Sequence, residues 1–300
     1  MEVDSRKQAQ SLEPVSSLPK ASDISTLDET PHVLIKSEES GVQLNLQDLW
    51  AYRELLYFLT LRDIKVRYKQ TVMGAAWVII QPLMTMLIFN LVFSKFARLD
   101  TKDIPYPVFA YSGLLLWTFF SNSVTSGTYS LVNNSHLVTK VYFPRAFIPS
   151  AAVGAGLVDL LIASLILIAL AIYYGINPSW NLALLPLFVL LAAMLALGTG
   201  ILVSALTVKY RDLRHALPFI MQFWMFASPV IYPSTIVPEN WRWILLANPM
   251  TGVLEGFRAA LVGQNFDWNL ILISAIVATI LLAVAFYVFR ALEDTFADVI

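Results

Sequence analysis

The sequence predicts an all-α membrane protein: six transmembrane helices, an amphipathic interface helix ahead of them, and a pair of re-entrant half-helices on the outer side. Three observations carry this. The chain is 57% hydrophobic and 14% charged, with a mean hydropathy of +0.65, which is outside the range of soluble domains. Apolar stretches recur at about 72–95, 105–130, 147–174, 181–208, 214–233 and 268–290, and about 20 such residues in a helix cross roughly 30 Å of hydrocarbon. Ten Lys or Arg flank the ends assigned to the cytoplasm, against five in the outer loops, as the positive-inside tendency requires.

Residues 1–47 hold eight Asp or Glu and four Lys or Arg, with Pro14, Pro19 and Pro31 interspersed. Such a segment buries too little apolar surface to offset its ordering entropy, so it is expected to be a disordered acidic tail. It lacks the apolar core of a secretory signal, which leaves the N-terminus in the cytoplasm. From 48 to 62, Leu49, Tyr52, Leu56 and Leu59 repeat at helical spacing beside Arg53, Glu54, Thr60 and Arg62, the pattern of a helix lying along a membrane surface. Arg62, Lys65, Arg67 and Lys69 then mark the cytoplasmic start of the first span, which has no ionisable residue over the 22 positions of 72–93.

The outer loop that follows holds Asp100 and Asp103 among Arg98, Lys102 and Pro105, a solvated loop rather than a metal-binding pair. In the second span, Ser121, Asn122, Ser123, Thr125, Ser126 and Thr128 make a face too polar for lipid, which should meet protein or a wet cavity. The connection 133–145 offers Ser135 as a helix N-cap, an aromatic pair and Pro144 as a stop, hence a short cytoplasmic helix presented for docking. Asp159 lies within the third span with no evident intramembrane partner. It serves either as a structural hydrogen bond between helices or as a proton relay. Gly154, Gly156, Gly198 and Gly200 permit close helix contact.

Aromatic residues recur on faces: Phe89, Phe93 and Phe96 on span one, Trp117 and Phe120 on span two, Phe219, Phe223 and Phe226 on span five. Apolar faces of sugar rings pack on aromatic rings, so these stripes are candidate linings for a glycan path; helix packing and lipid contact are the plainer explanation for any one ring. Between spans five and six, residues 240–263 are too long for a turn and too interrupted for a span. Asn248 and Pro249 break the helix there, and Glu255 and Arg258 are spaced to pair on one face. Half-helices of this kind are tolerated at membrane depth only against protein or a cavity.

Four separated motifs in order, RDIKVRYKQT at 62–71 with Gly74, Trp77, Gln81 and Pro82, LVTKVYFPR at 137–145, SPVIYP at 228–233 and NPMTGVLEGFR at 248–258, resemble the membrane subunit of ABC-2 type polysaccharide exporters, especially the O-antigen branch. The resemblance covers roughly 45–300. It implies the ABC-2 (type V) exporter fold in the bacterial cytoplasmic membrane, both termini cytoplasmic. It also implies a homodimer paired with two ABC ATPase subunits that moves a lipid-linked polysaccharide outward. By the same resemblance, Tyr52, Arg53, His136, Lys140, Tyr142, Phe143 and Arg145 belong to the ATPase-coupling surface, while Asn248, Pro249, Gly252, Glu255 and Arg258 form the outer gate.

Several classes are excluded or disfavoured by the residues themselves. The sequence has no cysteine, and His32, His136 and His215 form no metal-ligand pair. No phosphate-cradling GxxxxGK[ST] loop is present, so ATP and Mg must be bound by a partner subunit if transport is ATP-driven. No nucleic-acid partner is expected, and no catalytic constellation appears. A drug or small-molecule exporter of the same architecture and a proton-coupled carrier using Asp159 are the competing functions.

Overall fold

The computed structural model describes residues 52–69, 74–96, 104–140, 143–293 and 296, and for Ala75, Ser94, Lys95 and Phe96 the backbone only. The expected acidic tail, the Asp100–Asp103 loop and Tyr142 lie outside the described residues. All described residues belong to one compact unit, Val42–Ile300.

The first helix, α1 (Arg53–Lys69), runs through the basic cluster rather than stopping at Arg62. Leu59 is buried and Leu55 and Leu56 half-buried, whereas Tyr52, Tyr57 and Phe58 stay exposed. Thr60 of α1 sits against Gly154, so α1 lies across the start of the third long helix. Next comes α2 (Gly74–Phe89), which carries Pro82 inside it and loosens into a π turn over Asn90–Phe96. A proline removes one helical donor, and of the described α2 side chains only Pro82 and Met86 are buried, while Trp77, Met84 and Ile88, and Leu91 in the π turn, are exposed.

The centre of the molecule is α3 (Tyr106–Asn133), started by Pro105 and buried along most of its length between its neighbours. The short α4 (Ser135–Lys140) follows, then α5 (Phe147–Tyr173). A 3₁₀ turn, Trp180–Leu184, leads into α6 (Leu185–Lys209), and α7 (Leu213–Ala227) contains Pro218. After an irregular stretch come α8 (Arg242–Ala247), α9 (Pro249–Val262) and α10 (Trp268–Glu293). Among the described residues the expected broken segment is thus two helices parted at Asn248.

Four helical segments are long and apolar enough to cross a membrane: Ala76–Phe93, Phe147–Tyr173, Trp180–Lys209 and Trp268–Glu293. The other two expected spans differ for physical reasons. At 28 residues α3 has the length, but its polar run lowers its hydropathy, and a helix enclosed by protein can carry such groups. The 15 residues of α7 reach only about 22 Å at 1.5 Å per residue, short of the roughly 30 Å core.

Two hydrophobic cores hold the helices. The larger joins α3, α5, α6, α9 and α10 around Tyr111, Leu116, Phe120, Phe188 and Leu195. Gly256 of α9 lies so close to the Phe188 ring that a Cβ there would overlap it, so this glycine sets the approach of α9 to α6. The smaller core gathers Leu59, Leu131, Val138, Phe143, Phe147, Val208, Phe289 and Phe296. It sits where α1, α4 and the basic ends of α6 and α10 meet.

Candidate functional site

At the basic end, His136 and Lys140 of α4 are exposed, as are Tyr52 and Arg53 at the start of α1. Two residues expected on that docking surface are engaged within the chain instead. Phe143 is buried in the smaller core. Arg145 donates its backbone N–H to Glu293 Oε1 at 3.2 Å, and its guanidinium donates to the Glu293 carbonyl. The cause is α10: the last carbonyls of a helix have no partner within it, and Arg145 caps one of them while Arg290 pairs with Glu293 at 3.2 Å. The α4–α5 connection is therefore tied to the end of α10.

Asp159 has partners that lie 91 and 92 residues away in sequence. Arg67 forms an ion pair with it and the Tyr68 hydroxyl donates to its other oxygen. Burial first, then that hydrogen bond, hold the Tyr68 phenol above the ordinary tyrosine range. The pair pins the last turn of α1 to α5. Beside it lies a half-open groove of about 370 Å³ between α2, α3 and α5, lined by Asn122, Thr125 and Ser126 on one side and by Trp77, Pro82 and Leu160 on the other. The polar face of α3 thus meets a cavity.

The aromatic stripes divide. Trp117 and Phe120 are enclosed in the larger core, packed on Trp224 at centroid distances of 6.5 and 5.0 Å. They line no surface of the chain, which corrects the expectation drawn from face periodicity alone. Phe89 and Phe93 are half-buried and continue a ladder through Tyr106 to Phe109. By contrast Phe219, Phe223 and Phe226 are 75, 69 and 51% exposed. Steps of four and three keep them on one face of α7, and Leu217 and Met221 on the other face are buried.

The expected outer-gate residues form a closed polar junction with the end of α7. Asn248 Oδ1 accepts from Met250 N at 3.1 Å and from Trp224 Nε1 at 3.0 Å, and Asn248 Nδ2 donates to Ser228 Oγ at 2.7 Å and to the Ala227 carbonyl at 3.2 Å. Arg258 does not pair with Glu255. It turns inward and donates to the carbonyls of Pro229 at 2.6 Å and Val230 at 2.5 Å, its guanidinium 3.7 Å from the Phe109 ring centroid. Tyr106 donates to the Ile231 carbonyl at 2.9 Å.

The geometry explains why Arg258 goes there. Residues 228–233 leave helical structure, which strands carbonyls that need donors. Gly113 of α3 leaves the space for the guanidinium, since a Cβ at that position would collide with it. Pro249 occupies the first turn of α9 and Gly252 packs on the Leu270 backbone. Sequence reasoning did not single out Tyr68, Tyr106, Trp224 or Glu293. Their role depends on long-range contact, and none sits at a spacing that marks it.

Four helical segments long and apolar enough to cross a membrane, packed around the enclosed α3, define an integral membrane protein. Residues 54–262 match the family model described as ABC-2 type transporter, and the chain belongs to that family. Among its relatives is the O-antigen export system permease protein RfbA of Myxococcus xanthus, 32% identical over 257 residues that cover 84% of this chain and 98% of that protein. RfbA of Klebsiella pneumoniae is 29% identical over 82% of this chain and 95% of its own length. The polysialic acid transport protein KpsM of Escherichia coli is 24% identical over 68% of this chain and 80% of its own.

Proposed function

We propose that the chain is the permease of an ATP-driven exporter that carries a lipid-linked, O-antigen-like polysaccharide across a bacterial cytoplasmic membrane. It works as a homodimer with two separate ATPase subunits, which bind ATP and Mg. The relatives are named as O-antigen export permeases and a polysialic acid transport protein, and one structural observation carries the reading further. Phe219, Phe223 and Phe226 stand uncovered on a helix whose other face is packed, as a lining between two protomers would. Phe89 at the end of α2, with Phe93 and Phe96 of the π turn that follows it, is assigned to the same passage.

In this reading α3, and α7 together with the irregular residues 228–233 that extend it, complete six spans, and the basic ends lie in the cytoplasm with both termini. Tyr52, Arg53, His136 and Lys140 meet the ATPase. A push on α4 passes into the smaller core and through the Arg145–Glu293 tie to α10, so the ATPase stroke moves several helices together. The α9 junction then acts as the outer gate. Engagement of Asp159 by Arg67 and Tyr68 supports a structural role for that carboxylate over a proton relay.

Deletion of the gene with complementation tests the reading. Cells lacking the chain should retain polysaccharide inside and regain surface polysaccharide when the wild-type chain is supplied. Surface polysaccharide unaltered by deletion would sink it.

A further inference from the structure

The junction that holds α9 has an open side. Ser234, Thr235, Glu255, Gln264, Asn265 and Asp267 line a cleft of about 190 Å³, with Arg258 in its wall. Gly263, at φ 76°, ends α9 in the left-handed conformation, which only glycine adopts cheaply. The chain thereby doubles back, so that Gln264, Asn265 and Asp267 face Glu255 across the cleft. The cleft lies by the N-terminal ends of α3 and α10, at the end of the bundle opposite Lys209 and Arg290.

The charges say what can bind there. Arg258 is 5% exposed, and although two of its nitrogens are committed to carbonyls, Nε is buried with no partner among the described residues. Glu255 is half-buried and takes part in none of the ion pairs among the described residues. Asp267 Oδ1 accepts from the Leu270 N–H at 3.2 Å, which leaves its second oxygen for the cleft.

A cation meets the Arg258 charge, and an anion meets Glu255 and Asp267. A hydroxyl group suits both, because its oxygen accepts from a guanidinium while its hydrogen donates to a carboxylate. The amides of Gln264 and Asn265 and the hydroxyls of Ser234 and Thr235 can likewise donate and accept. We propose that this cleft is a subsite for a neutral, hydroxyl-rich sugar unit, which holds the emerging glycan at the outer end between transport strokes. The proposal rests on the export reading for its biological ligand, but the binding chemistry stands on the cleft alone.

Saturation-transfer NMR on the chain with its ATPase partner in nanodiscs tests it, using the methyl glycosides of glucose, galactose, mannose and N-acetylglucosamine, and glycerol as the control polyol. At least one glycoside should receive saturation above the glycerol level. Glu255→Gln, which removes a charge-assisted hydrogen bond, should weaken that binding about tenfold. Asn265→Ala should also weaken it, and this exposed residue can be truncated without disturbing the fold.

Signals no stronger than glycerol mean water only in the cleft and overturn the proposal. So do signals that both variants leave unchanged, since the glycoside then binds elsewhere. If glycosides bind and the variants weaken them while deletion of the chain leaves surface polysaccharide intact, the subsite stands and the export reading falls. If export needs the chain but no glycoside binds, only the subsite falls.

Discussion

Replacing Arg258 with methionine removes the guanidinium donors to the Pro229 and Val230 carbonyls while keeping most of the side-chain length. Two buried carbonyls, at 2.6 and 2.5 Å from the guanidinium, are then left without their donors, at a cost of about 1 kcal/mol or more each. The contact over Phe109 at 3.7 Å is a desolvated cation–π pair worth about 2 kcal/mol. No longer burying a charge returns part of that sum, so the net loss should be about 2–4 kcal/mol. Unfolding in mixed micelles of rising sodium dodecyl sulfate, followed by tryptophan fluorescence, reads this directly, because Trp224 is hydrogen-bonded into the same junction. The variant should unfold earlier, and proteolysis within 228–241 should speed up. Arg258→Lys should recover less than half of the loss, since one ammonium lacks the fork that spans two carbonyls. A methionine variant with the wild-type midpoint and wild-type cleavage would refute the junction.

Other perturbations follow from the same contacts. Arg67→Met leaves Asp159 without its cation and should loosen α1, measured as proteolysis near Lys69; adding Asp159→Asn should restore part of the protection, because an unpaired buried charge costs more than a lost pair. Arg145→Met removes the guanidinium that caps the Glu293 carbonyl and should impair export, while Arg145→Lys, which keeps a donor there, restores some of it. Single Ser substitutions at Phe219, Phe223 or Phe226 should change stability by no more than about 0.5 kcal/mol, since the rings are exposed, yet the triple variant should reduce surface polysaccharide. Because the folded state holds the Tyr68 phenol above its ordinary value of 10.0, its contribution to α1 docking is complete below pH 10 and declines as pH rises through the higher folded value. Hydrogen exchange in α1 at rising pH would show this.

Length and hydropathy made the helix order legible, and Asn248 and Pro249 marked the break before α9. Periodicity also found the face of α7 that carries Phe219, Phe223 and Phe226. What it left open was which side of a face is covered. Trp117 and Phe120 repeat as regularly as the α7 rings, but α3 is surrounded by other helices, and enclosure is a property of the packing rather than of the repeat. Spacing misled in the same way at Glu255 and Arg258. They share a face three residues apart, and the stranded carbonyls of Pro229 and Val230 are the stronger demand on a buried guanidinium. Asp159 looked isolated because its partners come from α1, and a contact across some ninety residues leaves no local trace.

On the export reading proposed above, this chain conducts only when a separate ATPase drives it. Proteoliposomes containing the purified chain, with and without its ATPase partner, and loaded with labelled lipid-linked polysaccharide, decide whether it does. Translocation that requires both the partner and ATP is the expected result; translocation by the chain alone under a proton gradient would contradict it.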